Sequence, residues 1–212
     1  SLSLADIEQI VTLKETSGSS FAWEDVSAID LSDAEQYDVN LLQKRLQNTQ
    51  VHLFNEATIW ARAIYPLLFL VEQGNIQVWA EVALRGEYPL FDIEGIADGV
   101  IGRSVVGRIT TPYLVVIETK RGVEAQNPIF QLYGELLAAA WMNWQQNQGE
   151  VQEIFGCYTI ADSWTFLRAE VSQINSDRPM LSIECSREYN QRLETATILK
   201  VLKQIVDRQI KN

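Results

Sequence analysis

No feature of this chain constrains its fold more than the stretch Tyr113 to Arg121, YLVVIETKR. It starts as an uninterrupted apolar run, the pattern of a strand covered on both faces, so the rest of the chain must supply a layer on either side of it. It then places Glu118 and Lys120 at its end. Two apart along a strand, these side chains point to the same face. In isolation an acid beside a base at a strand end reads as an ion pair. Their wider setting gives them a second reading.

The elements around this strand predict an α/β domain. Val51 to Gln73, VHLFNEATIWARAIYPLLFLVEQ, is dense enough in large apolar residues to be a buried helix, with Pro66 expected to kink or split it. Ile76 to Leu84 and Ile93 to Ile101 read as strands, joined by a turn at Gly86 to Pro89. Gly102 to Thr111 reads as a loop or hairpin connection. After Gly122, Glu124 to Asn147 carries a broad apolar stripe at helical spacing. Glu153 to Ile160, Trp164 to Val171 and Met180 to Cys185 follow as strands, and Arg187 to Ile210 as a closing helix. The prediction is a mixed β-sheet flanked by helices.

Residues 1–50 read differently. Leu4, Ile7, Ile10 and Val11 are spaced for one face of a short helix over Ser3 to Glu15, Thr16 to Ser20 reads as a small-residue linker, and a second helix starts near Ser32 with Glu35 at the capping-box position. The expected division is an acidic helical extension, 1–50, and a core domain, 51–212. Of the net charge of −11, residues 1–40 carry nine acids and one base, a net of −8; the remainder, nineteen acids and sixteen bases, is close to balance. Any nucleic-acid contact would therefore come from local basic clusters. A length of 212 residues, 47% of them hydrophobic, is enough for one sizeable core. No apolar run in the sequence is long enough to span a bilayer, so the expectation is a soluble cytoplasmic protein without a membrane partner. Cys157 and Cys185 lack metal-site spacing and read as small buried hydrophobes.

Candidate chemistry rests on acids in unusual places. Asp98 falls inside a predicted strand, where both propensity and burial disfavour it. Glu56 opens the buried helix, where the helix dipole alone would favour a carboxylate; its functional reading is a metal ligand reaching the sheet. His52 is the sole histidine, so histidine-based hydrolysis has no support.

The order of an acid on a helix, Asp98 in a strand, then Glu118-x-Lys120 after an apolar strand resembles the PD-(D/E)XK nuclease superfamily. Asn55 to Leu68, NEATIWARAIYPLL, and Gly156 to Leu167, GCYTIADSWTFL, are similar to stretches of the N-terminal nuclease domain of type I restriction enzyme R subunits. The resemblance covers roughly residues 50–210, without the helicase motor that follows in R subunits. It implies a restriction-endonuclease-like fold and a Mg²⁺- or Mn²⁺-dependent DNA endonuclease. Asp98, Glu118, the Thr119 carbonyl and Glu56 would hold the metal, and Lys120 would orient or deprotonate water or stabilise the transition state. Gln131 stands where related nucleases place a glutamine, although Glu135 replaces the tyrosine expected one turn on, and on a helical wheel Gln131 lies nearly opposite the apolar stripe. Arg62, Arg103 and Arg121, with Lys44, Arg45 and Arg108, are candidates for a phosphate-binding rim, against a reading as solvated surface. Targeting by a protein partner and a homodimer presenting two sites are compatible with this scheme. The competing expectation is a non-catalytic interaction module that keeps the fold and uses Lys120 and the carboxylates as a structural ion pair.

Overall fold

The computed structural model describes residues 2–18, 21–122 and 127–211. Seven strands form one mixed sheet in the order β1-β7-β6-β5-β4-β3-β2: β1 (Thr12–Ser17), β2 (Ile76–Glu87), β3 (Asp92–Val105), β4 (Arg108–Lys120), β5 (Val151–Ile160), β6 (Ser163–Ser172) and β7 (Met180–Asn190). β2, β3 and β4 are antiparallel neighbours, β4 and β5 are parallel, β5, β6 and β7 are antiparallel, and β1 runs parallel to β7.

Helices cover both faces, as the apolar run of β4 requires. On one face lie α1 (Leu4–Ile10) and α5 (Ile129–Asn147), which bury Leu132, Leu136, Leu137 and Ala140 against Val100, Val116, Ile154 and Leu167 of the sheet. The other face carries α2 (Asp33–Gln47), the helical segment 56–71 and α6 (Gln191–Lys211), with Ile59, Leu67, Ile198 and Leu202 packed on Val115, Ile117, Phe155 and Phe166. Val115 and Val116 thus face opposite layers, which is why β4 reads as a continuous apolar run rather than an alternating one. No helix among the described residues is long and apolar enough to cross a membrane.

Residues 1–50 depart from the expected all-helical extension. The predicted helix over Ser3–Glu15 ends at Ile10, and Thr12–Ser17 extends as β1, an edge strand in register with Met180–Cys185. Lys14 and Glu15 break the helical stripe, and β7 offers a free edge whose hydrogen bonds outweigh local preference. The Tyr133 hydroxyl on α5 donates to Glu15 (2.5 Å), and the Trp23 indole donates to Glu184 of β7 (2.8 Å). Thr16 and Ser17, read as linker, belong to β1; Ser19 and Ser20 lie outside the described residues. α2 begins as the sequence suggests, with Ser32 and Glu35 bonded reciprocally, and its Glu35 pairs with Lys203 of α6.

Three further boundaries move. Gly102 to Thr111 is a strand hairpin turning at Val106 and Gly107, both at positive φ (50° and 68°), the backbone of a tight two-residue turn. β7 continues to Asn190, so α6 starts at Gln191 rather than Arg187. α5 is helical from Ile129; the start expected at Glu124 lies outside the described residues. In segment 56–71, α3 (Glu56–Ile59) passes through a π-helical turn, Trp60–Ile64, into α4 (Tyr65–Leu68) and a 3₁₀ turn, Phe69–Val71. Pro66 lacks an N–H and crowds the carbonyl four residues back, and the wider π turn absorbs that misfit without breaking the helix.

Candidate active site

β3 and β4 pair only as far as Gly99 opposite Ile117. Beyond that point β3 runs on beside β2 alone, while β4 continues through Lys120 beside β5 alone. The strands splay, and the side chain of Asp98 fills the role of the missing ladder bond: its Oδ2 accepts the Thr119 N–H at 2.6 Å. A carboxylate thus ends up at a sheet opening, in a strand that disfavours it, because a main-chain donor there has no strand partner.

A cavity of about 290 Å³ opens at the splay, lined by Glu56, Ala57, Trp60, Ala80, Glu81, Asp98 and Thr119. Segment 56–71 forms one wall, and its seat on the sheet depends on Gly99. A Cβ there would come within 2.3 Å of the Trp60 ring. Only a glycine lets the indole lie over β3 beside Asp98.

Glu118, Lys120, Gln131 and Glu135 form a second group on the α5 side of the sheet. Glu118 is fully buried and pairs with Lys120 (Nζ to Oε1, 2.5 Å), yet neither of its oxygens has an oriented hydrogen-bond donor. Glu135, also buried, accepts from the Gln131 side-chain amide through Oε1 (3.1 Å), while its Oε2 has no partner. Burial first, and then the charge of Asp98, raise the Glu118 carboxyl to about 7. Burial and the neighbouring Glu118 raise Glu135 to about 9. At neutral pH a proton therefore resides on this pair, with Glu135 its principal carrier. Burial also raises Asp98, against the lowering effects of the Thr119 N–H and Lys120. Burial disfavours the Lys120 ammonium, but the pairing with Glu118 outweighs it and its pKa rises.

The predicted site residues therefore fall into two adjoining groups. Glu56, Asp98 and Thr119 line the cavity, with Glu56 exposed at its mouth. Glu118, Lys120 and Gln131 stand beside it, with Glu118 close enough for the charge of Asp98 to act on it. Gln131 donates to Glu135, its neighbour one turn on along the same helix face. Arg121 follows Lys120 at the end of β4, and Arg62 lies over the Phe54 ring at 5.5 Å. Arg103 is not brought in. It sits five residues farther along β3 than Asp98, roughly 17 Å away at about 3.4 Å per residue, in the hairpin that also carries Arg108.

Two acids escaped the sequence reading. Glu135 is buried although it shares with Gln131 the face opposite the apolar stripe of α5, so helical spacing gave no signal for it. Glu81 lies on β2 across from Asp98, lines the cavity and adopts a left-handed backbone (φ 52°). An acid within a strand is the anomaly that singled out Asp98, and it applied equally here.

A hard divalent cation suits part of this donor set. Glu118 presents a buried carboxylate, contacted by Lys120 through Oε1, close to that of Asp98, and Mg²⁺ commonly takes one or two carboxylates and keeps several waters. Among the described residues, however, no three His, Cys, Asp or Glu side chains converge as a metal-binding group. The fit rests on the Asp98 and Glu118 pair with the Thr119 carbonyl. No protein-family model matches the chain, and a search of curated proteins finds no significant match.

Proposed function

We propose that the chain is a metal-dependent phosphodiesterase of restriction-endonuclease-like fold, acting on DNA. One observation carries this reading: a fully buried glutamate, contacted by Lys120, held close to a second carboxylate at the opening between two splayed strands. Crowding carboxylates in a buried place costs stability, and a site selected only for stability would replace one of them. The order of elements around it, helix 56–71, then β2, β3 and β4, then α5 and β5, supports the reading.

Asp98, Glu118 and the Thr119 carbonyl would hold Mg²⁺ or Mn²⁺. When bound, the cation supplies a lowered pKa for a coordinated water and neutralises charge on the scissile phosphate. Asp98 reaches the cavity from β3 and is oriented by the Thr119 N–H. Lys120, partly exposed at the end of β4, is positioned to receive or stabilise negative charge once Glu118 turns its oxygens elsewhere. Glu135 holds a proton next to Glu118 and limits the charge the buried pair carries. Glu56 and Glu81 add negative potential at the cavity mouth.

The competing reading, a non-catalytic interaction module, has its own support in the Lys120 to Glu118 ion pair, which compensates the buried charge without a cation. Calorimetric titration of Mg²⁺ and Mn²⁺ into wild-type protein and Asp98→Ala, with plasmid and single-strand cleavage run on the same samples, separates the two. Saturable binding and cleavage that both vanish in the variant establish the nuclease. If neither occurs in the wild type and Asp98→Ala is at least as stable, the module reading stands.

A further inference from the structure

The cavity at Asp98 carries more chemistry than a divalent cation would use. Every charged residue that lines it is an acid, Glu56, Glu81 and Asp98, and its apolar wall is the Trp60 ring with Ala57 and Ala80. β4 adds a hydroxyl. Alternation along that strand sends Val116 and Glu118 to the side of α5, and Ile117 and Thr119 to the side of segment 56–71, where Thr119 lines the cavity. Thr119 is 1% exposed and its Oγ1 has no hydrogen-bond partner, so a buried polar atom stands unmatched in the wall of an acidic chamber.

These acids surround the chamber without converging. Among the described residues no three His, Cys, Asp or Glu side chains meet as a metal-binding group. Acceptors set apart in this way suit a cation that brings its own N–H donors and reaches each oxygen at about 2.8 Å, rather than a bare Mg²⁺ that needs its oxygens at about 2.1 Å. No base lines the cavity, and Lys120, whose charge reaches Asp98, is paired with Glu118.

We propose that this cavity binds a primary alkylammonium group, of the kind that polyamines and lysine side chains carry. Its three N–H groups go to Asp98, Glu81 and the Thr119 hydroxyl, and its alkyl stem lies against Trp60, Ala57 and Ala80. Asp98 has lone pairs to offer beyond the one that accepts the Thr119 N–H. The face of an indole attracts a cation, and Glu56 at the mouth adds charge of the right sign. The inference does not rest on the nuclease reading, because Glu81 and the Thr119 hydroxyl lie outside the donors assigned to the metal. Asp98 is common to both, so ammonium and Mg²⁺ exclude one another.

The test is calorimetric titration of the metal-free full chain with putrescine, with Nα-acetyl-lysine amide and with tetramethylammonium. At least one of the two amines should bind with a Kd below about 1 mM. Tetramethylammonium, with the same charge on nitrogen but no N–H donor, should bind at least about tenfold more weakly. Binding of putrescine alone identifies a free polyamine as the source; binding of the lysine amide alone, or more tightly, identifies a lysine presented by a protein. Glu81→Gln should weaken binding about tenfold. Thr119→Val, close in shape but without Oγ1, should weaken it about fivefold while raising the Tm of the free protein, since it removes an unpartnered buried hydroxyl. No binding of either amine at about 10 mM, equal affinity for tetramethylammonium, or wild-type affinity in both variants overturns the proposal. Mg²⁺ titration and cleavage run in parallel keep the two ideas apart. Amine binding without metal binding or cleavage sinks the nuclease and leaves this inference standing; metal binding and cleavage without amine binding does the reverse.

Discussion

Two clusters of charge sit on the same sheet and are built on opposite terms. Around Arg168, on β6, every acid is matched. The guanidinium contacts Glu153 of β5 (2.5 Å), Glu170 and Glu184 (3.4 Å), and Glu153 also receives Arg208 from α6 (2.9 Å). Burial alone would raise the Glu153 carboxyl, but the two arginines hold it below its ordinary value. At the splay of β3 and β4 three buried or half-buried acids share one lysine, and all three are raised. The first cluster ties three strands and a helix together. The second stores unfavourable charge in one place, an arrangement typical of a site poised for a ligand or a proton.

The contrast has opposite signs in pH. A carboxyl lowered by folding stabilises above its unfolded value of about 4.5 and loses that contribution as pH falls through the lowered value; a raised one stabilises below about 4.5 and loses it as pH climbs through its folded value. The largest expected effect comes from breaking the matched cluster. Arg168→Leu should cost about 3 kcal/mol in urea unfolding at pH 7, because it leaves partly buried acids unpaired, and the loss should shrink toward pH 3. An unchanged midpoint at pH 7 would remove the contrast. At the other cluster, Mg²⁺ at a hundredfold excess over its Kd should stabilise the wild type by about 2.7 kcal/mol and leave Asp98→Ala unmoved, as read by thermal unfolding.

Gly99→Ala should cost about 2 kcal/mol by pushing Trp60 off the sheet, and should weaken cation binding more than its stability loss explains. Glu135→Gln gives the most diagnostic sign. It should be close to neutral near pH 4 and increasingly stabilising as pH rises above about 4.5, where the unfolded wild-type carboxyl ionises while the folded one keeps its proton. Destabilisation at pH 9 would mean that the ionised Glu135 carboxylate is compensated beyond its Gln131 hydrogen bond.

How much of this was legible in the sequence follows from what each residue depends on. The central strand was readable because its apolar run reports burial on both faces, and so were α2, through the Ser32 and Glu35 cap, and the apolar stripe of α5. β1 was not, because Thr12 to Ser17 becomes a strand only when β7, some 170 residues on, lends it an edge. Asp98, Glu118 and Lys120 stood out as charges in or beside apolar strands. Their division between a cavity wall and a buried group behind it depends on where β3 and β4 part, and no local pattern encodes that. Arg103 lies apart from the opening because its hairpin extends away from it.

The bond from the Thr119 N–H to Asp98 gives the site a reporter that requires neither substrate nor catalysis. In the described strands most amides are held by a neighbouring backbone, whose grip does not vary with charge. Thr119 is held by a side chain, so its exchange with deuterated solvent should follow the protonation and occupancy of Asp98 while the amides of Val115 and Val116 stay constant as internal standards. One amide, read by NMR, would follow the electrostatic state of the whole opening.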